Sequence, residues 1–233
     1  MKIAEVGYQI LDEISRPRRY YNASGTVFAK YGPGWKELKK IERCARICYK
    51  TEGKITEDSE ESAKDLISRL IARGHEAMLE HSSLTVIFTV DRALSHELVR
   101  HRMASFAQES QRYCNYGNDK FDGHVTFIKP QWLKAGTPDY DIWEKSCLDA
   151  EKEYFDLLEN NKPELARAVL PNCTKTELAI TANYREWRHI FKLRTAPGAH
   201  PDMRKLMTEL LLELKDRIPV IFDDIGEEEA NGC

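Results

Sequence analysis

The run Leu84-Thr85-Val86-Ile87-Phe88-Thr89-Val90 constrains the fold more than any other stretch of this chain. It is rich in β-branched residues and alternates in part, which predicts a strand with one well-buried face. The other strong periods are helical. Between Trp35 and Tyr49, the residues Leu38, Ile41, Ala45 and Cys48 recur at spacings of three and four, the mark of one apolar helix face, and Cys44 and Cys48 are expected to pack. Asp58 and Ser59 lead into Ala63, Leu66, Ile67, Leu70 and Ile71, and Gly74 ends the run, so a capped helix with a stop signal is predicted. Further helices are expected over about 93–103, over 140–160 behind Pro138 (carrying Ile142, Leu148, Tyr154 and Leu157), and over 184–194. Pro197-Gly198 breaks the last of these, and Pro201 opens a final helix with Met203, Leu206, Met207, Leu210 and Leu211 inward. Residues 125–128 read as a short strand, 177–181 as strand or helix, and the acidic tail 223–229 as solvated. No repeat or linker marks a boundary, so the expectation is one mostly helical α+β domain over residues 1–233.

A content of 42% hydrophobic residues supplies a full core, and 35 Lys+Arg against 38 Asp+Glu leaves a formal charge of −3. That balance argues against a general nucleic-acid or membrane-surface binder, which needs a basic stripe. The run 84–90 is far short of the ~20 apolar residues that span a bilayer, and Met1-Lys2-Ile3-Ala4-Glu5 turns acidic before a secretory core could form, so a cytoplasmic protein is expected. Cys44, Cys48, Cys114, Cys147, Cys173 and Cys233 form no CxxC pair and read as reduced core fillers. Asn22-Ala23-Ser24 and Asn172-Cys173-Thr174 match the glycosylation pattern, without consequence away from a secretory route.

Several site motifs fail on a named position. Gly32-Pro33-Gly34 is followed by Glu37 where a dinucleotide fingerprint needs glycine, and no Walker A pattern occurs. His75-Glu76 meets Leu79 where a zinc protease needs its second histidine. His96 and His101, if helical, point about 140° apart. No metal site is expected. Pro171-Asn172-Cys173 presents a thiol with no base nearby in sequence.

The segment from Glu97 to Arg112 is different. It holds Arg100, His101, Arg102, Gln108, Glu109, Ser110, Gln111 and Arg112 on an apolar frame of Val90, Leu94 and Leu98, in an otherwise acidic chain. Such a run is usually a solvated helix face. The apolar frame and the arginines instead suit bidentate phosphate contact. A second set, Arg167, Arg185, Arg188 and Arg194, lies near Asn183 and His189, which suggests one ligand with several phosphates, or two ligands.

Arg100-His101-Arg102, seven residues, then Ser110-Gln111-Arg112 resembles the RHR-x7-S-x-R signature of the flavin-dependent thymidylate synthases. The resemblance extends to His75-Glu76 and Glu80-His81 before the strand, to Ala166-Arg167 with Leu170-Pro171, and to Asn183, Arg185, Leu193 and Arg194 in order. It implies an α+β fold with a small central antiparallel or mixed sheet, in a homotetramer whose active sites lie at subunit interfaces. The implied activity is reductive methylation of deoxyuridine monophosphate (dUMP) to thymidine monophosphate (dTMP) in nucleotide biosynthesis. Methylenetetrahydrofolate would give the carbon, and NADPH-reduced FAD the hydride. Carried over by residue, the resemblance assigns dUMP to Glu97, Leu98, Val99, Arg100, Gln108, Glu109, Ser110, Gln111, Arg112 and Arg167. It assigns FAD to Ala77, Arg100, His101, Arg102, Gln108, Asn183, Tyr184, Arg185 and His189, and places His75 near folate and flavin. Arg194 would be the catalytic residue, its guanidinium polarising the uracil imide. The chemistry needs no protein nucleophile, because the cofactor carries the hydride and folate the carbon.

Some positions depart from the pattern. Ala107-Gln108 stands where many relatives have Asn-Glu, with Glu109 one residue later, and Ala77 replaces a hydroxyl residue, leaving a backbone contact to the flavin phosphates. Cys48 and Gly198 replace polar residues, and Glu97 and His189 occupy frequent amide positions. Two alternatives are a flavin-free synthase using Cys173 and a nucleotide-binding module without catalysis. The first predicts turnover without FAD, the second dUMP binding without methylation.

Overall fold

A computed structural model describes residues 1–226, so residues 227–229 of the acidic tail and Cys233 lie outside the described residues. The chain runs β1 (Lys2–Ala4), β2 (Gly7–Ile10), β3 (Arg18–Tyr21), β4 (Val27–Tyr31), α1 (Trp35–Tyr49), α2 (Glu61–Ala72), β5 (Ser83–Asp91), α3 (Arg92–Leu98), β6 (Ser105–Gln108), β7 (Thr126–Ile128), α4 (Pro138–Leu158), α5 (Pro163–Ala166), β8 (Lys175–Asn183), α6 (Tyr184–Arg194) and α7 (Pro201–Arg217). A four-stranded sheet has the order β2-β5-β8-β6. β1 pairs in parallel with β7, and β3 pairs antiparallel with β4. The α+β class with small sheets is as expected. Among the described residues no helix is long and apolar enough to cross a membrane.

The chain divides into two compact units, one of residues 1–9 and 86–180, the other of residues 10–85 and 181 onward; β5 and β8 run through both. In the first, the alternation read from sequence buries Val86, Phe88 and Val90 of β5 together with Leu178 and Ile180 of β8. Residues 177–181 are therefore strand. A satellite core joins Cys147 and Tyr154 of α4 to Tyr116, Val125, Phe127 and Ala166. Thr137 caps α4, accepting from the Tyr140 amide at 3.4 Å, and Pro138 occupies its first turn. Of the apolar positions named on α4, Tyr154 is buried while Ile142 and Leu148 face outward.

In the second unit, α1 buries Leu38, Ile41 and Ala45, and α7 buries Met203, Leu206, Met207, Leu210 and Leu211 as expected. Cys48 departs from expectation, since it is exposed in the last turn of α1 and Cys44 is half-buried. The cap of α2 departs too. Its N-cap is Glu60, which makes no side-chain cap bond, while the Ser59 hydroxyl one residue earlier accepts from the Glu61 amide at 3.4 Å and the Asp58 carbonyl accepts from the Lys30 amide of β4 at 3.0 Å. The Gly74 stop is as read, with φ at +71°. The Gly74 amide donates to the Ile71 carbonyl at 2.9 Å and the His75 amide to the Leu70 carbonyl at 2.8 Å, the paired bonds of a Schellman end. The tail is not wholly solvated: Asp224 ion-pairs with Arg188 at 2.6 Å.

Candidate active site

The signature segment starts on α3, and that helix is shorter than its sequence suggests. Asp91 caps it, its Oδ1 accepting from the Leu94 amide at 2.7 Å. The predicted continuation to Met103 does not occur. After Leu98 the bonding tightens to i→i−3, with the Arg100 amide donating to the Glu97 carbonyl, His101 to Leu98 (both 3.2 Å) and Ala104 to His101 (3.1 Å). Arg100, His101 and Arg102 therefore occupy a turn between α3 and β6. Leu98 and His101 are buried at 0% and 4% exposure, which roots the turn, while Arg100 and Arg102 are exposed. Neither guanidinium has a hydrogen bond or ion pair among the described residues. Because His101 stands off the helix, the angular argument against its pairing with His96 does not apply.

Beyond β6 the polar residues hold one another. Gln108 donates to the Ser95 hydroxyl at 2.9 Å and the Thr176 hydroxyl at 3.3 Å, so the amide found in place of a carboxylate ties β6 to α3 and β8. Glu109 accepts from the Tyr116 hydroxyl at 3.2 Å and pairs with Lys175 at 3.4 Å. Burial and the Glu109 charge push the Tyr116 hydroxyl above its ordinary value. Glu109 and Lys175 also line an open cavity of about 500 Å³ with Lys2, Lys120, Thr126 and Glu177. The Ser110 carbonyl closes the next turn, accepting from the Cys114 amide at 2.9 Å, and the Ser110 hydroxyl accepts from the Arg112 amide at 3.3 Å. Gln111 is buried, whereas Arg112 is exposed and only loosely paired with Glu164 at 3.9 Å.

Arg167 ends the short helix α5, half-buried, and its guanidinium has no partner among the described residues. The segment after it reaches α3 directly, since the Arg92 amide donates to the carbonyls of Asn172 (2.9 Å) and Thr174 (3.1 Å). The Arg92 side chain donates onward to the Glu109 carbonyl at 3.3 Å. All ten residues assigned to dUMP thus belong to the first unit, and Arg92 ties three of its segments together. Cys173 has another thiol beside it, Cys147 at 3.6 Å.

The second unit carries the rest. The Schellman end of α2 delivers His75 into a short 3₁₀ turn, Glu76–His81, which holds Ala77. Two ion pairs join that turn to α6: Glu76 with Arg188 at 3.0 Å and Glu80 with Arg185 at 2.6 Å. Asn183 caps α6, its Oδ1 accepting from the Glu186 amide at 2.9 Å. Tyr184 and Arg188 are each 1% exposed. Burial pushes the Tyr184 hydroxyl up, and Phe222 packs on its ring edge. Burial also pushes the Glu186 carboxyl up, opposed by His189 one turn along. Arg188 belongs to the interior rather than to a ligand-facing basic cluster, since it grips Glu76, Asp224 and the Ile221 carbonyl. Arg194 is the last residue of α6 and half-buried. His75 lines a cavity of about 270 Å³ with Tyr49, Leu66, Leu70, Arg46, Arg69 and Arg73.

The profile of the family described as "Thymidylate synthase complementing protein" matches residues 34–220. A curated "Flavin-dependent thymidylate synthase" of Geobacter sulfurreducens is 37% identical over 192 residues, covering 80% of this chain and 81% of that one. One of Corynebacterium aurimucosum is 35% identical over 196 residues, 79% of this chain and 78% of its own. The chain belongs to the flavin-dependent thymidylate synthase family. Among solved structures, the UMP/dUMP methylase PolB of Streptomyces cacaoi, bound with 5-Br dUMP, superposes with a TM-score of 0.72 at 22% identity, covering 96% of each chain, which shows the shared fold.

Within this flavin-dependent thymidylate synthase chain, Arg92, Tyr116 and Lys175 support the signature residues without standing out in the sequence. Arg92 and Lys175 reach partners 84 and 66 positions away, and Tyr116 reaches Glu109, seven residues back, only because the chain turns between them.

Proposed function

We propose that this protein reductively methylates dUMP to dTMP, with methylenetetrahydrofolate as carbon donor and NADPH as reductant of a bound FAD. The observation that carries the reading is the state of the signature arginines. In a family member, Arg100, Arg102 and Arg167 stand without internal partners among the described residues, while neighbouring polar groups are paired. Unpaired guanidiniums on a buried frame suit phosphates. Arg100, Arg112 and Arg167 bind the dUMP phosphate and ring, with the Ser110 hydroxyl as a hydrogen-bonding group. Glu97, Leu98, Val99, Gln108, Glu109 and Gln111 shape the surrounding wall.

The residues fit FAD. In the first unit Arg100 and Arg102 offer donors to phosphates; in the second, Ala77 carries only a methyl beside its backbone amide, and Asn183 spends only its Oδ1 on the α6 cap, keeping its amide donors. His101, Gln108, Tyr184, Arg185 and His189 complete the proposed cofactor set. FAD when bound supplies hydride chemistry. The chain orients the nucleotide and excludes water, and Arg194 stabilises the ionised imide and so raises the nucleophilicity of the uracil ring. The cavity beside His75, lined by Tyr49, Leu66, Leu70 and Arg73, suits an aromatic, carboxylate-bearing part of folate. We further propose one functional domain over both units, a homotetramer and a cytoplasmic location. Thiol catalysis by Cys173 finds no support, since its neighbour is a second thiol and not a base.

The test is an anaerobic visible spectrum of the FAD-supplemented protein titrated with NADPH and dUMP, then with methylenetetrahydrofolate. Flavin bleaching followed by dTMP formation is expected. Failure to bind flavin overturns the reading, and dUMP binding without dTMP favours the non-catalytic module. Sedimentation at equilibrium checks the tetramer.

A further inference from the structure

We propose that Cys147 and Cys173 are a reversible redox pair whose closure to a disulfide shifts the segment after Arg167 and weakens nucleotide binding. The two sulfurs lie 3.6 Å apart across the satellite core of the first unit, Cys147 on α4 and Cys173 just before β8. A disulfide needs about 2.05 Å between sulfurs, so closure draws them together by about 1.5 Å from the present 3.6 Å. Cys147 is 1% exposed and Cys173 only half-buried, which gives the pair one outer and one inner thiol. The bond between the thiols, helped by burial, pushes Cys147 up, and the same bond holds Cys173 below the usual thiol value. Cys173 is therefore the attacking sulfur.

With a peroxide as oxidant, the Cys173 thiolate takes one oxygen of hydrogen peroxide, giving a sulfenic acid and hydroxide. The Cys147 sulfur then attacks that of Cys173, the S–O bond breaks, and the thiol proton leaves with the hydroxyl as water. Two thiols and one peroxide thus give one disulfide and two waters. A dithiol reductant reverses the bond by exchange.

The movement has a route to the nucleotide residues. The Cys173 carbonyl accepts the Ile128 amide at 2.8 Å, and the carbonyls on either side, Asn172 and Thr174, hold the Arg92 amide at the start of α3. Leu170 is hydrogen-bonded to the Arg167 carbonyl at 3.1 Å, so the same short segment carries a proposed dUMP ligand at its other end. The affinity effect rests on the proposed dUMP site; the pairing does not.

The test treats the full chain with hydrogen peroxide and reads thiol titre, intact mass, peptide mapping and dUMP affinity by calorimetry. The titre should fall by two per chain with loss of two hydrogens, a Cys147–Cys173 peptide should appear, and the Kd for dUMP should rise about fivefold or more. Dithiothreitol should restore the starting values. Cys173→Ser and Cys147→Ser should each keep their affinity through the oxidant, as should Cys173→Ala if the buried Cys147 variant does not fold. Cys114→Ser should behave as wild type. An unchanged titre, pairing through Cys114, oxidation of Cys173 that stops at a sulfinic acid, or a disulfide without loss of affinity each overturns the proposal. If the reduced protein does not bind dUMP, the functional reading and the affinity effect fall, and thiol titre alone still decides the pairing.

Discussion

Replacing Arg188 by Met should be among the most destabilising single changes in the chain. The guanidinium is 1% exposed, and it donates to Glu76 Oε1 from Nε and Nη2 (3.2 and 3.0 Å) and to both Asp224 oxygens (2.6 and 2.7 Å). Methionine fills much of the volume but leaves the Glu76 carboxylate, 19% exposed, without its counter-ion. Breaking a buried pair by removing one partner costs about 3–5 kcal/mol. Asp224 is 46% exposed, so its share is screened and small. At about 2–4 °C per kcal/mol for a chain of this size, Tm should fall by about 6–20 °C. Urea unfolding at fixed protein concentration gives the free energy directly. Adding Glu76→Gln should recover part of the loss, since the uncompensated charge is then gone. A loss below about 1 kcal/mol, or no recovery in the double variant, would refute the reasoning. The pH dependence follows from the same contacts. Burial opposes ionisation of Asp224, but its bonds to Arg188 outweigh that and hold the carboxyl below its ordinary value. Its contribution is thus present above the unfolded carboxylate value and lost as pH falls through the lower folded one. Wild type should lose this stability on acidification below about pH 4, and Arg188→Met should lack that component.

Other outcomes follow from single positions. Arg100→Ala and Arg167→Ala should each raise the Kd for dUMP by about 10- to 100-fold in calorimetry, the scale of one lost charge-assisted bond. Arg194→Ala should keep its flavin spectrum and lose dTMP formation, whereas Ser110→Ala should lower the rate only in part. Gly74→Ala puts a Cβ on a residue at φ +71° with open space around it, so it should cost about 1 kcal/mol in urea unfolding. Gly34→Ala should cost more, about 2–3 kcal/mol, because its Cβ would also stand 2.8 Å from the Arg217 carbonyl oxygen.

The sequence displays those elements that bury one continuous face. Leu38-Ile41-Ala45, Met203-Leu206-Leu210 and the alternation of β5 each state their own period, and α1, β5 and the start of α7 fall where those periods put them. The hairpin of β3 and β4 goes unread because Arg18-Arg19-Tyr20-Tyr21 is exposed throughout and has no buried side to alternate. The overextended α3 has a different cause. Arg100, His101, Arg102 and Met103 are acceptable helix formers, and only burial of His101 and the pairing of β6 with β8 turn the chain away. At the candidate site the signature spacing is a local pattern and shows in one dimension. The ion pair between Glu76 and Arg188 joins residues 112 positions apart, and nothing local in sequence points from one to the other.

The brevity of α3 has a consequence for motion. Seven residues are too few to hold a helix in water alone, so its order comes from the Asp91 cap, from burial of Leu94 and Leu98, and from the carbonyls of residues 172 and 174. A stretch ordered by its neighbours opens when they open. The amides of Val99, Arg100 and His101 should therefore exchange with solvent at one common rate, shared with Arg92, as a single cooperative unit of local unfolding. Ligand that rests on the exposed arginines would slow that exchange across the whole unit, so nucleotide occupancy would be visible at amides that never touch it.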